Sequence, residues 1–160
     1  MHHCPYTAIH LNSINPMNYL NRFLGVSLGL AATALVPTTA LAQAVPSVDQ
    51  TFLDELYTAI EEYDDLAYNF ALEMGDDNIE LASMVCAMFD EGSAAIDGFG
   101  TIFSGVNSGF YDAGAEDIFT ADQIDNASLV YSVALVSFGT DFYCPQYTPA
   151  VIAALEELDS

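Results

Sequence analysis

Four residues near the start of this chain, His2, His3, Cys4 and His10, are of the types that ligate a metal such as zinc. Beyond Ala42 the available chemistry changes. That part holds no Lys, Arg, His or Trp, and it holds all 23 Asp and Glu residues. Neither a Ser-His-Asp nor a Cys-His arrangement can be built from it. No cationic side chain is present to stabilise an oxyanion or a phosphate. A carboxylate pair could hydrolyse a glycoside, but among so many acids some pair always lies at a suitable distance, so the pattern selects nothing. The reading is therefore no enzyme, no catalytic residue and no cofactor.

Oxygen ligands for Ca²⁺ are densest at Asp76-Asp77-Asn78-x-Glu80 and at Asp122-x-x-Asp125-Asn126. Neither has the twelve-residue EF-hand spacing with its central Gly and final Glu. Both fall at expected helix starts, where acids cap backbone N–H groups and complement the dipole. Capping is the better account, and no metal site is assigned.

The clustered His and Cys residues precede a three-part pattern. Arg22 supplies a positive segment, Leu24 to Val36 is an uncharged, mostly apolar run of 13 residues, and Ala40-Leu41-Ala42 and Ala42-Gln43-Ala44 are small-x-small sites. This is the organisation of a secretory signal peptide. The run is short for a membrane span, Pro37 interrupts it, and no basic flank follows. Residues 1–42 are read as leader and signal, with Met17 the better start because it brings Arg22 close to the N-terminus. Cleavage then discards His2, His3, Cys4 and His10. The remaining chain is expected to be secreted or periplasmic and to begin at Gln43 or Val45.

From Gln43 to Ser160 is 118 residues, one small domain. With 23 acids and no base its charge is near −23. Such a surface is soluble, and its self-repulsion opposes compactness. Nucleic acid and anionic membranes are poor partners, because nothing neutralises phosphate. A saline or simply solvated exterior is the default reading of such a surface, with a cationic protein or divalent cations as the partners it would otherwise suit, and the domain is expected to be monomeric. High net charge also favours disorder, but the Phe, Tyr, Leu, Ile and Val content is enough for a core.

Periodicity points to an all-α fold for residues 49–160, with about four helices. Over Asp49 to Met74, Phe52, Leu56, Ile60, Tyr63, Ala67, Phe70 and Met74 fall on one arc, opposite Asp54, Glu55, Glu61, Glu62, Asp64, Asp65 and Glu73. This reads as one long amphipathic helix ending at Gly75. A second helix spans Asp77 to Phe89, with Asp76 or Asp77 as cap and Gly92 at its end. Residues 92–114 carry six glycines among large apolar side chains. Because Gly weakens regular structure, this reads as a packed Gly/aromatic connector with a short broken helix near Ala94 to Phe103. Thr120-Ala121-Asp122-Gln123 is a capping box that opens a helix to about Tyr143. That helix is apolar all round between Asp125 and Asp141, so it should be the central element; its β-branched content makes a strand the competing local reading. Thr148-Pro149 opens a last short helix, with Thr as cap and Pro at the first position.

Cys86 and Cys144 remain after cleavage. Export places this even pair in an oxidising setting, where such pairs usually bond. Two free thiols or a soft metal pair are the weaker alternatives, since the cleaved chain offers no further Cys or His ligand.

Three elements carry a family resemblance: Phe52-Leu53-x-x-Leu56 opening a helix, Val85-Cys86 ahead of Gly92, and Phe142-Tyr143-Cys144-Pro145-Gln146 near the C-terminus. With these the chain resembles the small secreted two-cysteine helical domain of unknown function, most familiar from actinobacterial exported proteins. The likeness covers roughly residues 49–155. The first helical region is longer than in that family, and the Gly/aromatic stretch is not typical of it. The resemblance implies an all-α, disulfide-stapled exported domain and no catalytic residues. The expected role is an exported, non-catalytic accessory or interaction protein. The alternative is a secreted binding module for a small hydrophobic ligand or Ca²⁺.

Overall fold

The computed structural model describes residues 46–158. The expected leader, its cleavage site, and His2, His3, Cys4 and His10 lie outside the described residues. Those that are described form an all-α fold of six α-helices with one disulfide. In chain order the helices are α1 (Val48–Glu61), α2 (Asp65–Met74), α3 (Asp77–Asp90), α4 (Ala95–Asp112), α5 (Ala121–Tyr143) and α6 (Thr148–Leu158). Short 3₁₀ turns at Ala115–Asp117 and Pro145–Tyr147 lead into α5 and α6.

The apolar helix is central, as its sequence requires: each of the other five helices packs on α5. Its capping box is formed. The Gln123 backbone N–H donates to Thr120 Oγ1 at 3.3 Å, and the Thr120 N–H donates to Gln123 Oε1 at 2.9 Å. Ile124, Tyr131 and Leu135 are fully buried. So are Ser128, Ser132 and Thr140, whose hydroxyls donate to the carbonyls of Ile124, Ser128 and Val136. Each hydroxyl finds its acceptor one turn back, so its burial leaves no donor stranded. Among the described residues no single helix is long and apolar enough to cross a membrane.

The expected long first helix is two helices. α1 starts under Ser47, whose hydroxyl accepts the Gln50 N–H at 3.1 Å. It buries Phe52, Leu53, Leu56 and Ile60. The chain then turns, because Asp64 takes an extended conformation (φ −157°, ψ 114°) and caps α2 through the Ala67 N–H at 2.8 Å. Its second carboxylate oxygen accepts Asn126 Nδ2 of α5 at 2.6 Å. The apolar arc continues through the corner, since Tyr63, Ala67 and Phe70 still reach the core. Periodicity reports which face is buried; it does not register a turn that keeps the same side chains inside.

The expected connector is an uninterrupted 18-residue helix. Gly98, Ile102, Val106 and Phe110 recur every fourth residue and are buried against the core. Interior glycines cost about 1 kcal/mol each. Burial of a large apolar side chain returns about 1.5–3 kcal/mol, so the face outweighs the propensity. Gly98 sits where an added Cβ would come 2.7 Å from the Phe89 ring, and Gly139 of α5 where one would come 2.9 Å from Ala82 Cβ. By contrast, a Cβ at Gly105 would meet nothing within 4 Å. Gly105→Ala is therefore expected to stabilise the protein by about 0.5–1 kcal/mol. Gly139→Ala should destabilise it by about 1–3 kcal/mol through forced separation of α3 and α5. Urea unfolding midpoints of the two variants check both signs.

Helix α3 ends where Gly92 allows it. Gly92 has φ 93°, its N–H donates to Phe89 O, and the Ser93 N–H donates to Met88 O, both at 3.0 Å. These are the two bonds of a Schellman motif. At the last helix the structure corrects the expected cap. Thr148 has helical dihedrals (φ −49°, ψ −45°), and its hydroxyl donates to Asp141 Oδ1 at 2.7 Å. The preceding 3₁₀ turn delivers the chain already coiled, so Thr148 lies inside α6.

Candidate functional site

Cys86 lies on the buried face of α3 and Cys144 directly follows α5. They are bonded, with Cα atoms 5.8 Å apart, and both are buried. The turn after Cys144 is tied to the same end of α3. The Tyr147 ring meets Phe89 edge-on at 5.4 Å, and its hydroxyl donates to Asp90 Oδ1 at 2.7 Å. Disulfide and tyrosine together staple the α5–α6 corner onto the last turn of α3.

Asn78 forms the centre of a second constellation. It belongs to one of the two sets of possible Ca²⁺ ligands, yet it is fully buried. Its Nδ2 donates to Gly75 O at 2.7 Å and Ala71 O at 2.9 Å, carbonyls where α2 ends. Its Oδ1 accepts the hydroxyl of buried Tyr131 at 2.7 Å. The Tyr57 hydroxyl, 3.4 Å from Nδ2, closes the group from α1. Four helices thus meet at one amide. Burial raises the Tyr131 hydroxyl well above the usual tyrosine range, and it raises Tyr57 as well, so both remain donors at neutral pH. Sequence reasoning missed this role. An Asn beside two Asp residues at a helix start reads as a capping group, and its acceptors lie on other elements.

The acids of the two candidate sets do not converge. Asp76, Asp77 and Glu80 are exposed. Asp76 occupies the N-cap position of α3 without a side-chain cap bond, and Asp77 and Glu80 lie in the first turn. At the other set Asp125 accepts Asn107 Nδ2 at 2.8 Å, while Asn126 is engaged by Asp64. Among the described residues no group of three or more His, Cys, Asp or Glu side chains could hold a metal ion.

A common pattern links the acids bonded across the fold. Asp49 accepts from Tyr143, Asp64 from Asn126, Asp90 from Tyr147, Asp125 from Asn107 and Asp141 from Thr148. Every one of these donors is neutral. The carboxylates gain hydrogen bonds, and none of these donors brings a positive charge. Burial and the Asp49 carboxylate raise the Tyr143 hydroxyl, and the bond to Asp90 raises Tyr147, so both donors persist.

Glu55, partly buried on α1, is raised above the usual carboxylate range by burial and by the charge of Asp141. A raised carboxylate destabilises the folded state while ionised, and that penalty fades as pH falls through its folded pKa. Glu55→Gln should therefore stabilise the protein at neutral pH, by less than about 1 kcal/mol because solvent screens the group. The gain should disappear in acid. Thermal midpoints of the two proteins across pH test this.

Between α4, α5 and α6 lies an apolar depression lined by Ala95, Ile96, Phe99, Val136, Val151, Ala154 and Leu155. Its free volume is about 10 Å³, the room of one water molecule. It is too small to enclose a hydrophobic ligand. Comparison with protein-family models, curated proteins and solved structures finds no match for this chain.

Proposed function

We propose that this chain is an exported, disulfide-stapled accessory or interaction domain with no catalytic activity of its own, of the small secreted two-cysteine helical kind that its sequence resembles. Its partners are cationic: a basic protein surface or divalent ions. One observation carries the reading. Every charged side chain of residues 46–158 is an acid, and the acids tied across helices take their hydrogen bonds from Tyr, Asn and Thr. The negative field is left undischarged within the described residues, and positive charge has to come from beyond them. The Cys86–Cys144 bond is compatible with an oxidising compartment.

The test joins location to charge. N-terminal sequencing of the exported protein should begin at Gln43 or Val45; mature protein that retains Met1 or Met17 overturns export by this signal. Unfolding midpoints should rise with NaCl up to about 0.1 M, where screening reaches about 10 Å. CaCl₂ and MgCl₂ should act at lower concentration than NaCl, to similar extents. A flat salt response refutes uncompensated repulsion. A saturating micromolar response to Ca²⁺ without a Mg²⁺ counterpart instead promotes a specific site.

A further inference from the structure

The corner between α1 and α2 joins two helices that share one apolar face. The apolar arc from Phe52 to Phe70 runs through it without interruption, as a single helix would require. The corner residues Glu62, Tyr63 and Asp64 include neither Gly nor Pro. Glu62 is already helical (φ −69°, ψ −22°), whereas Asp64 is extended. Yet the chain doubles back so sharply that the Tyr57 hydroxyl of α1 lies 3.5 Å from Gly75 O, beyond the far end of α2.

We propose that this corner is a hinge through which α1 exchanges between two copies of the chain, and that the Asp64–Asn126 contact holds it shut. If Asp64 turns helical, α1 and α2 become one rod and α1 leaves its groove. The Phe52, Leu53, Leu56 and Ile60 face is then exposed and needs the same contacts it had before. The vacated groove of a second, equally opened copy supplies them, so the swapped dimer rebuilds the native core. Straightening gives the Ala67 N–H the Tyr63 carbonyl in place of Asp64. What is lost is the cap and the bond to Asn126. What opposes the rod is like charge, because Glu61 and Asp65 become i, i+4 neighbours, and Glu62 and Asp65 i, i+3 neighbours. Repulsion between two chains of this charge opposes the dimer as well, so salt favours the swap.

The experiment weighs wild type, Asp64→Ala, Asn126→Ala and Glu61→Gln/Glu62→Gln by light scattering at millimolar protein, with and without NaCl. Asp64→Ala removes cap and latch together. Each lost cap shifts the balance about five-fold, so a dimer with two opened corners gains about 25-fold over wild type. Asn126→Ala should shift the balance less and in the same direction, and the Gln pair should add to it. Mixed-isotope NMR then distinguishes a swap from surface association. The rings of Phe52 and Tyr143, with centroids 5.2 Å apart, should show contacts between chains in the dimer. Monomeric Asp64→Ala in salt, or a dimer whose Phe52–Tyr143 contacts stay within one chain, overturns the proposal. If Asp64→Ala does not fold, Asn126→Ala and the Gln pair decide the matter, and their remaining wholly monomeric in salt overturns it equally.

Discussion

Cys86→Ser is expected to lower the unfolding free energy by about 2–5 kcal/mol. The bond closes a sequence separation of 58 residues, for which loop entropy alone accounts for about 4 kcal/mol. The local structure adds a second reason. Cys86 and Cys144 are 8% and 3% exposed, so the variant also leaves a hydroxyl and a thiol in an apolar setting. The staple further fixes the corner that places Tyr147 on Phe89 and Asp90. Loss of the bond should loosen the start of α6 before the rest of the domain. Urea unfolding with and without dithiothreitol tests this: reduction should weaken wild type by somewhat less than the substitution does, because it leaves two thiols and no hydroxyl, and should leave the variant unchanged. A variant as stable as wild type would show that the helices hold this corner without the bond.

Asn78→Asp is the second large effect, although it replaces a single NH₂ group by oxygen. The new oxygen would face the Gly75 and Ala71 carbonyls at the present 2.7 and 2.9 Å, acceptor against acceptor. A fully buried carboxylate without a counter-charge costs about 3–5 kcal/mol. The variant carboxyl is therefore held protonated far above its unfolded value, and the sign of the pH effect follows. The penalty is present at neutral pH and fades in acid, where a protonated carboxyl again donates. Tyr131→Phe provides the control. It removes the donor to Asn78 Oδ1 and should cost about 1–3 kcal/mol. Combined with Asn78→Ala it should cost less than the two single changes added together, because the second change removes a group the first left stranded. Chemical denaturation of all four proteins decides it, and strict additivity would argue against a shared network.

The sequence by itself determined the elements whose causes are local. The capping box at Thr120 and Gln123 places both partners within one turn, so it was legible and the structure forms it. The stop at Gly92 depends on one residue's freedom to take a positive φ. The central place of α5 follows from its being apolar on every side. The Cys86–Cys144 pairing was legible because these are the two cysteines beyond the expected cleavage site, and two allow one internal bond. The lack of Lys, Arg and His beyond Ala42 was legible by inspection, and with it the field that carries the proposed function. Tertiary structure alone decided the rest. The corner at Asp64 is tied to Asn126, 62 residues away, a partner that no window of local sequence contains. The continuity of α4 is decided by the core that receives Ile102, Val106 and Phe110, since helix propensity alone argues against it. Asn78 looked like a surface ligand beside two acids and is instead the buried junction of four helices. Periodicity and capping act over a few residues, whereas a buried polar group is placed by partners that only packing brings within reach.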